Sequence, residues 1–210
     1  MPTREVVQIG HPSLRLNARY LTLEDITKPE TQRTIDDMVE TMRAATGVGL
    51  AAPQIDLPWR VFVAEAEPSQ RRPDIERLEL LCVINPQLVV LDQALVSDWE
   101  GCLSIEQGTM VGVVKRYHRV RVEGLNREGR EVAHELVGFH ARIAQHEVDH
   151  LDGILFFDRI YERLSPRESP IISTRENRDR YLESAAPTER TQSALNSEDK
   201  RSGDSEREGI

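Results

Sequence analysis

His146 and His150 stand four residues apart in Phe139–Gly153, FHARIAQHEVDHLDG, with Glu147 directly after the first of them. On an α-helix that spacing turns both imidazoles to one face, and Glu147, one step round from His146, borders it. Two imidazoles can hold a divalent metal ion and a neighbouring carboxylate can carry a proton, so the chemistry in view is metal-assisted hydrolysis. Phe139 and Ile143 extend the stripe toward the N-terminus and predict that this face points inward, while Gly153 is well placed to end the helix.

Catalytic zinc-type centres usually take three protein ligands and leave a further position open, so a third ligand is needed. The extended pattern H-E-x-x-H-x-x-G-x-x-H is followed as far as Gly153, but Phe156 stands where its last histidine belongs, which disfavours that peptidase class. A glutamate further on (Glu162, Glu168, Glu176 or Glu183) would make a metalloprotease, although these lie in increasingly polar sequence. Upstream, Cys102 in Glu100-Gly101-Cys102-Leu103-Ser104 offers a thiol after a flexible glycine and before an apolar run. A thiolate with two imidazoles suits Zn2+ or Fe2+ alike.

The elements that must position these groups follow from hydrophobic periodicity. Ile35, Met38, Val39, Met42 and Ala45 recur at three and four, predicting an amphipathic helix over Pro29–Ala45 that Gly47 terminates. Gly47-Val48-Gly49-Leu50-Ala51-Ala52-Pro53-Gln54 is too rich in small residues for ordinary core. With no strand before it, it is no dinucleotide-binding turn either; it predicts a loop whose backbone can approach a ligand. Strands are expected at Arg60–Ala64, at Leu80–Ile84 and Gln87–Leu91 on either side of a bend at Asn85-Pro86, and at Lys115–Leu125 and Arg130–Val137, a hairpin closed by Asn126–Gly129. Residues 5–25 read as an extended arm and Glu65–Arg77 as an exposed loop. Antiparallel-looking pairs without βαβ alternation predict an α+β fold, antiparallel β-sheets packed around a central helix that carries the H-E-x-x-H motif. Residues 1–165 would form this domain, 166–184 a weakly helical C-terminal extension, and 185–210 a disordered polar tail.

Thirty-six acidic against 27 basic residues, a net charge of −9, argue against a nucleic-acid-binding surface over the whole protein. Cys82 and Cys102 make no disulfide framework, and a thiolate ligand needs a reducing compartment. With no signal-peptide core at the N-terminus and no stretch near the length of a membrane span, a cytoplasmic protein is expected. His11, His118, His134 and His140 stand alone in sequence and are expected to be structural or surface residues.

Taken in order, GVGLAAPQ (Gly47–Gln54), EGCLS (Glu100–Ser104) and QHEVDH (Gln145–His150) resemble the three signature motifs of the peptide deformylases, a likeness covering roughly residues 5–165. The resemblance implies a metal site of Cys102, His146 and His150 holding Fe2+ or Zn2+, with Glu147 as general acid–base. It also implies that Gln54 and the backbone N–H of Leu103 stabilise the developing oxyanion. Val48, Gly49 and Ile143 would line the pocket for the substrate side chain, beside Leu103 and the His146 ring. The implied substrate is the N-formyl group on the initiator methionine of new polypeptides, with the ribosome as a candidate partner during translation. The chain departs from the family after EGCLS. Glu106 replaces a proline, and Val111, counted back from Arg116-Tyr117, falls where deformylases carry an arginine along the peptide groove. That departure leaves open a paralogue acting on a different N-formyl compound.

Overall fold

The computed structural model describes residues 2–69, 72–162 and 171–178. The chain divides into two units, Met1–Ser173 and Thr174–Ile210. Of the expected extension over 166–184, residues 171–178 are described, as a strand followed by a helical turn; the rest of it and the tail over 185–210 lie outside the described residues.

A short helix α1 (Leu23–Thr27) precedes α2 (Pro29–Ala44), which starts on a proline at its first turn, where the missing N–H costs nothing. The strands are β1 (Gly49–Ala51), β2 (Val61–Ala66), β3 (Leu78–Val90), β4 (Leu95–Gly101), β5 (Met110–Tyr117), β6 (Arg119–Leu125), β7 (Glu131–Val137) and β8 (Ile172–Thr174). Helices α3 (Gly138–Leu151) and α4 (Phe156–Glu162) come between β7 and β8. The result is a mixed α/β fold with a five-stranded sheet, β1-β2-β3-β6-β7, and a three-stranded sheet, β4-β5-β8. Its named pairs β1–β2, β2–β3, β3–β6, β4–β5 and β6–β7 are all antiparallel.

Within the larger sheet, β2 is buried on both faces. Its alternate residues Val61 and Val63 pack with Leu50, Ile84 and the Ile35, Met38, Val39 and Met42 stripe of α2. Phe62 and Ala64 point the other way, to Ala141, Ile143, Ala144, Val148 and Leu151 of α3. Burying side chains of this size contributes about 1.5–3 kcal/mol each. Among the described residues no helix is long and apolar enough to cross a membrane.

Several elements differ from the periodicity reading. Leu80–Ile84 and Gln87–Leu91 are one strand, β3, because Asn85 takes a left-handed φ of 54° and the register slips between Ile84 and Gln87. The bulge is held from outside: the Asn85 amide accepts from Leu21 N at 2.9 Å and donates to Leu21 O at 2.8 Å. Lys115–Leu125 is not one strand, since the chain breaks at His118 and passes from β5 in one sheet to β6 in the other. The Asn126–Gly129 hairpin is present, with Leu125 opposite Glu131. The Gly47–Gln54 segment is not a loop throughout; β1 pairs with β2, and a 3-10 turn over Ala52–Ile55 follows. Strand β4, absent from the periodicity reading, delivers Glu100 and Gly101 to the point where Cys102 leaves the sheet.

Candidate metal centre

Helix α3 carries His146, Glu147 and His150, and its buried stripe of Ala141, Ala144, Val148 and Leu151 fixes which way the imidazoles turn. The helix stops at Leu151; Asp152 caps it and Gly153 follows in the left-handed region at φ 70°. A Cβ on Gly153 would meet the Arg15 carbonyl carbon at 2.8 Å, so this stop needs glycine on steric grounds also.

The two imidazoles meet edge to face with centroids 4.9 Å apart. Cys102, leaving β4, brings its Sγ to 3.2 Å from His150 Nε2. Sγ and one nitrogen of each ring all lie within 4.8 Å of one another, a group that could hold a metal ion. The donor set fits one: a thiol and two imidazoles make a borderline-soft site, and His146 Nδ1 lies 3.0 Å from Glu100 Oε2, which fixes the ring and leaves its other nitrogen for a ligand. Phe156, in place of the third histidine of the longer motif, stacks on His146 with centroids 6.2 Å apart. Of the downstream glutamates, Glu176 is exposed, and the Glu162 side chain, Glu168 and Glu183 lie outside the described residues.

Glu100 is anchored deep in the molecule. Arg116 grips it in a two-pronged pair at 2.9 Å on each oxygen, and Arg142 Nη1 reaches Oε1 at 2.7 Å. Arg116 also binds Asp149, whose Oδ1 accepts from Arg159 Nη2 at 2.6 Å. Burial raises the Glu100 pKa, but the charge and hydrogen bonds of Arg116, with those of His146, outweigh it and hold the carboxyl well below the usual range. For His146, burial disfavours the cation, but Cys102 and Glu100 overcome this and raise its pKa well above the ordinary value. Burial and the neighbouring His146 charge drive His150 well below it.

Glu147 has opposite surroundings. It is 4% exposed, its Oε2 has no hydrogen-bond partner among the described residues, and burial pushes its pKa up to about 7. The chain approaches it closely: a Cβ on Gly49 would sit 2.2 Å from Glu147 Oε1. Only glycine leaves room for the carboxylate there.

Gln54, 2% exposed, is locked by its own backbone: Oε1 accepts from Ala51 N at 2.8 Å. Its Nε2 is thereby aimed at Cys102 Sγ, 3.6 Å away, and at Ser104 Oγ, 3.2 Å away. Leu103 follows Cys102 and is half-buried, and its side chain lies against Gly47, where a Cβ would meet Leu103 Cδ1 at 3.0 Å. Val48 is 38% exposed, whereas Ile143 is packed in the apolar layer with Ala51 and Phe62. His140 is half-buried and bonds the Glu76 carbonyl, apart from the imidazole pair.

The family profile described as polypeptide deformylase matches residues 3–165. The chain belongs to that family. It is 42% identical over 157 residues to peptide deformylase 1 of Nitrosomonas europaea, 75% of this chain and 87% of that protein. Peptide deformylase of Thermus thermophilus is 45% identical over 156 residues, 72% of this chain and 79% of that protein. The crystal structure of class I type b peptide deformylase from Acinetobacter baumannii with Met-Ala-Ser bound superposes with a TM-score of 0.72 at 34% identity, covering 76% of this chain and 99% of that one. As a family member the chain is a metal-dependent hydrolase that removes a formyl group.

The sequence motifs contain Glu100, Arg142 and Asp149, and Arg116 lies between two of them, but nothing in the sequence pattern assigns any of the four a role. A signal was present: charged residues at inward positions of apolar stretches, such as Arg142 between Ala141 and Ile143, need buried partners. The Val111 reading needs correcting. Val111 is 1% exposed and sits opposite Gly101 in the β4–β5 pair, so strand alternation turns it into the protein and not along a groove. An arginine there would drive a guanidinium into the core.

Proposed function

We propose that this deformylase holds a single Fe2+ or Zn2+ ion on Cys102 Sγ and the His146 and His150 imidazoles, and acts on the N-terminal formyl-methionine of newly made polypeptides. The observation that carries the reading is the convergence of those three donors beside Glu147, a buried carboxylate with an unpartnered oxygen. When bound, an ion at such a donor set supplies Lewis-acid polarisation and makes water acidic enough to attack an amide at neutral pH.

The protein's own groups account for the rest. Glu147, with its pKa raised to about 7, accepts a proton at Oε2 and returns it to the leaving nitrogen. Gln54 Nε2 and Leu103 N–H supply donors for the oxygen on which negative charge develops. Gln54 is suited to this because its other end is already tied to Ala51 N, so the donor is oriented before substrate arrives. Val48, Gly49 and Ile143 line the methionine pocket beside Leu103, Ile143 contributing from the apolar layer of α3. Helix α3 is on this reading the central element, with the sheets packed about it. Residues 1–165 form the hydrolase unit, at work in the cytoplasm on chains leaving the ribosome; a chain ended after Ala185 that lost turnover of short formyl peptides would contradict that division.

The test is metal analysis coupled to formate release from formyl-Met peptides. About one ion per chain and formate release are expected for the natural protein. Cys102→Ser should lose most of both, since a neutral hydroxyl is a poor substitute for a thiolate at a borderline-soft metal. Full metal content and turnover in that variant would overturn the ligand set. Faster turnover of a different N-formyl compound than of formyl-Met peptides would replace the substrate and leave the site intact.

A further inference from the structure

The N-terminal arm reaches the site through Gln8. Val7 N donates to Gln54 O at 2.9 Å and Ile9 N to Ser104 O at 2.7 Å, so the two residues flanking Gln8 join the segments that carry Gln54 and Leu103. Between them the Gln8 side chain uses both ends of its amide. Nε2 donates to Leu103 O at 3.0 Å and to Val6 O at 3.1 Å, and Oε1 accepts from Gln107 N at 3.0 Å. The orientation of the amide follows from its partners, since a carbonyl must meet the NH2 and a backbone N–H must meet the oxygen.

What Gln8 holds is a turn that does not sit comfortably by itself. Glu106 and Gln107 have φ of 46° and 52°, and Gly108 follows at 80°. Left-handed backbone is rarely adopted by residues with a Cβ, and here two of them come in succession. The turn closes on itself through Gly108 N to Ile105 O at 2.8 Å and Thr109 N to Glu106 O at 3.0 Å. Its one side-chain brace from the arm, among the described residues, is Gln8 Oε1 on Gln107 N. Four residues before that contact lies Leu103, whose carbonyl the same amide holds.

We infer that Gln8 is a positioning residue for deformylation: its amide clamps the Leu103–Gln107 segment from both ends, so that the Leu103 N–H and the Gln54 amide bear together on the substrate carbonyl oxygen. This rests on the assignment of those two donors above. Gln8 reaches neither the substrate nor the Cys102, His146 and His150 donors, so its loss acts on turnover and not on the metal. In Gln8→Met a side chain of similar length remains and every one of these hydrogen bonds is lost.

The experiment compares the metal-loaded natural protein, Gln8→Met and Arg4→Ala for kcat and KM on a formyl-Met peptide, metal per chain, melting temperature, and amide hydrogen exchange at Gln107. Arg4 ties the same arm to Asp37 at 2.7 Å and to Thr41 without touching the turn, so it reports arm docking alone. For Gln8→Met the expected result is a kcat lower by about tenfold to a hundredfold, short of the 10²–10³ lost when an oxyanion donor is removed outright. KM should stay within about twofold, metal per chain should be unchanged, and Gln107 should exchange faster, whereas Arg4→Ala should lower the melting temperature and leave kcat in place. Faster exchange at Gln107 with unchanged kcat overturns the inference, as does an equal fall in kcat for Arg4→Ala. A natural protein that releases no formate would count against the deformylase reading, and the exchange measurement would still report whether Gln8 braces the turn.

Discussion

Glu100 and Glu147 are buried carboxylates of one site, and their surroundings drive them in opposite directions. Glu100 is enclosed by cations: Arg116 and Arg142 contact it directly, Asp149 and Arg159 extend the ion-pair chain behind, and it stays ionised well below the usual range. Glu147 is buried against Gly49 with no ion-pair partner among the described residues, leaves one oxygen unpartnered, and has its pKa pushed up to about 7 by burial. The residue type is the same, so the difference comes from neighbours alone. Where a site must both orient a ligand and move a proton, a permanently charged carboxylate serves the first purpose and one poised near the working pH serves the second.

Exchanging each carboxylate for its amide separates the two roles. Glu147→Gln should keep about one metal per chain and lower kcat by roughly 10² to 10⁴, the usual scale for a general acid–base group. Loss of metal in that variant would mean that Glu147 supports the ligands, and the contrast with Glu100 would collapse. Glu100→Gln should instead act on the frame. It leaves Arg142 in the interior without its carboxylate partner and Arg116 with Asp149 alone, and frees the far side of His146, and removing one member of a buried ion pair costs about 3–5 kcal/mol. Denaturant unfolding should show a loss of that size together with weaker metal retention; unchanged stability would show the arginines to be satisfied elsewhere.

The smallest and sharpest test is the pH dependence of stability, measured on metal-free protein. Because folding raises the Glu147 pKa from 4.5 to about 7, the folded state binds more protons than the unfolded between those values. Its contribution is therefore fully present below pH 4.5 and lost as pH rises through 7, on the order of a few kcal/mol by linkage. Glu100 has the reverse sign: its pKa is lowered by folding, so its contribution is present above 4.5 and lost as pH falls below. Glu147→Gln should accordingly gain stability relative to the natural protein between pH 5 and pH 8. A difference flat across that range would show that Glu147 is not held neutral by burial.

Much of this site was legible before any fold was known, and the reason is that the relevant information is local. The i, i+4 pairing of His146 and His150 depends only on helix geometry, the α2 stripe only on a 3.6-residue period, and the Asn126–Gly129 hairpin only on turn chemistry. What tertiary structure decided depends on partners far along the chain. Lys115–Leu125 reads in sequence as one β run, and only the arrival of β4 beside β5 and of β7 beside β6 determines that it divides at His118 between two sheets. Val111 can be aligned with a groove residue on paper, yet pairing with β4 turns it into the core. Glu100 meets His146 46 positions away and Gln8 meets Leu103 95 positions away. A carboxylate's pKa or an amide's clamp is set by which distant groups the fold brings within 3 Å, and no periodicity in the sequence carries that distance.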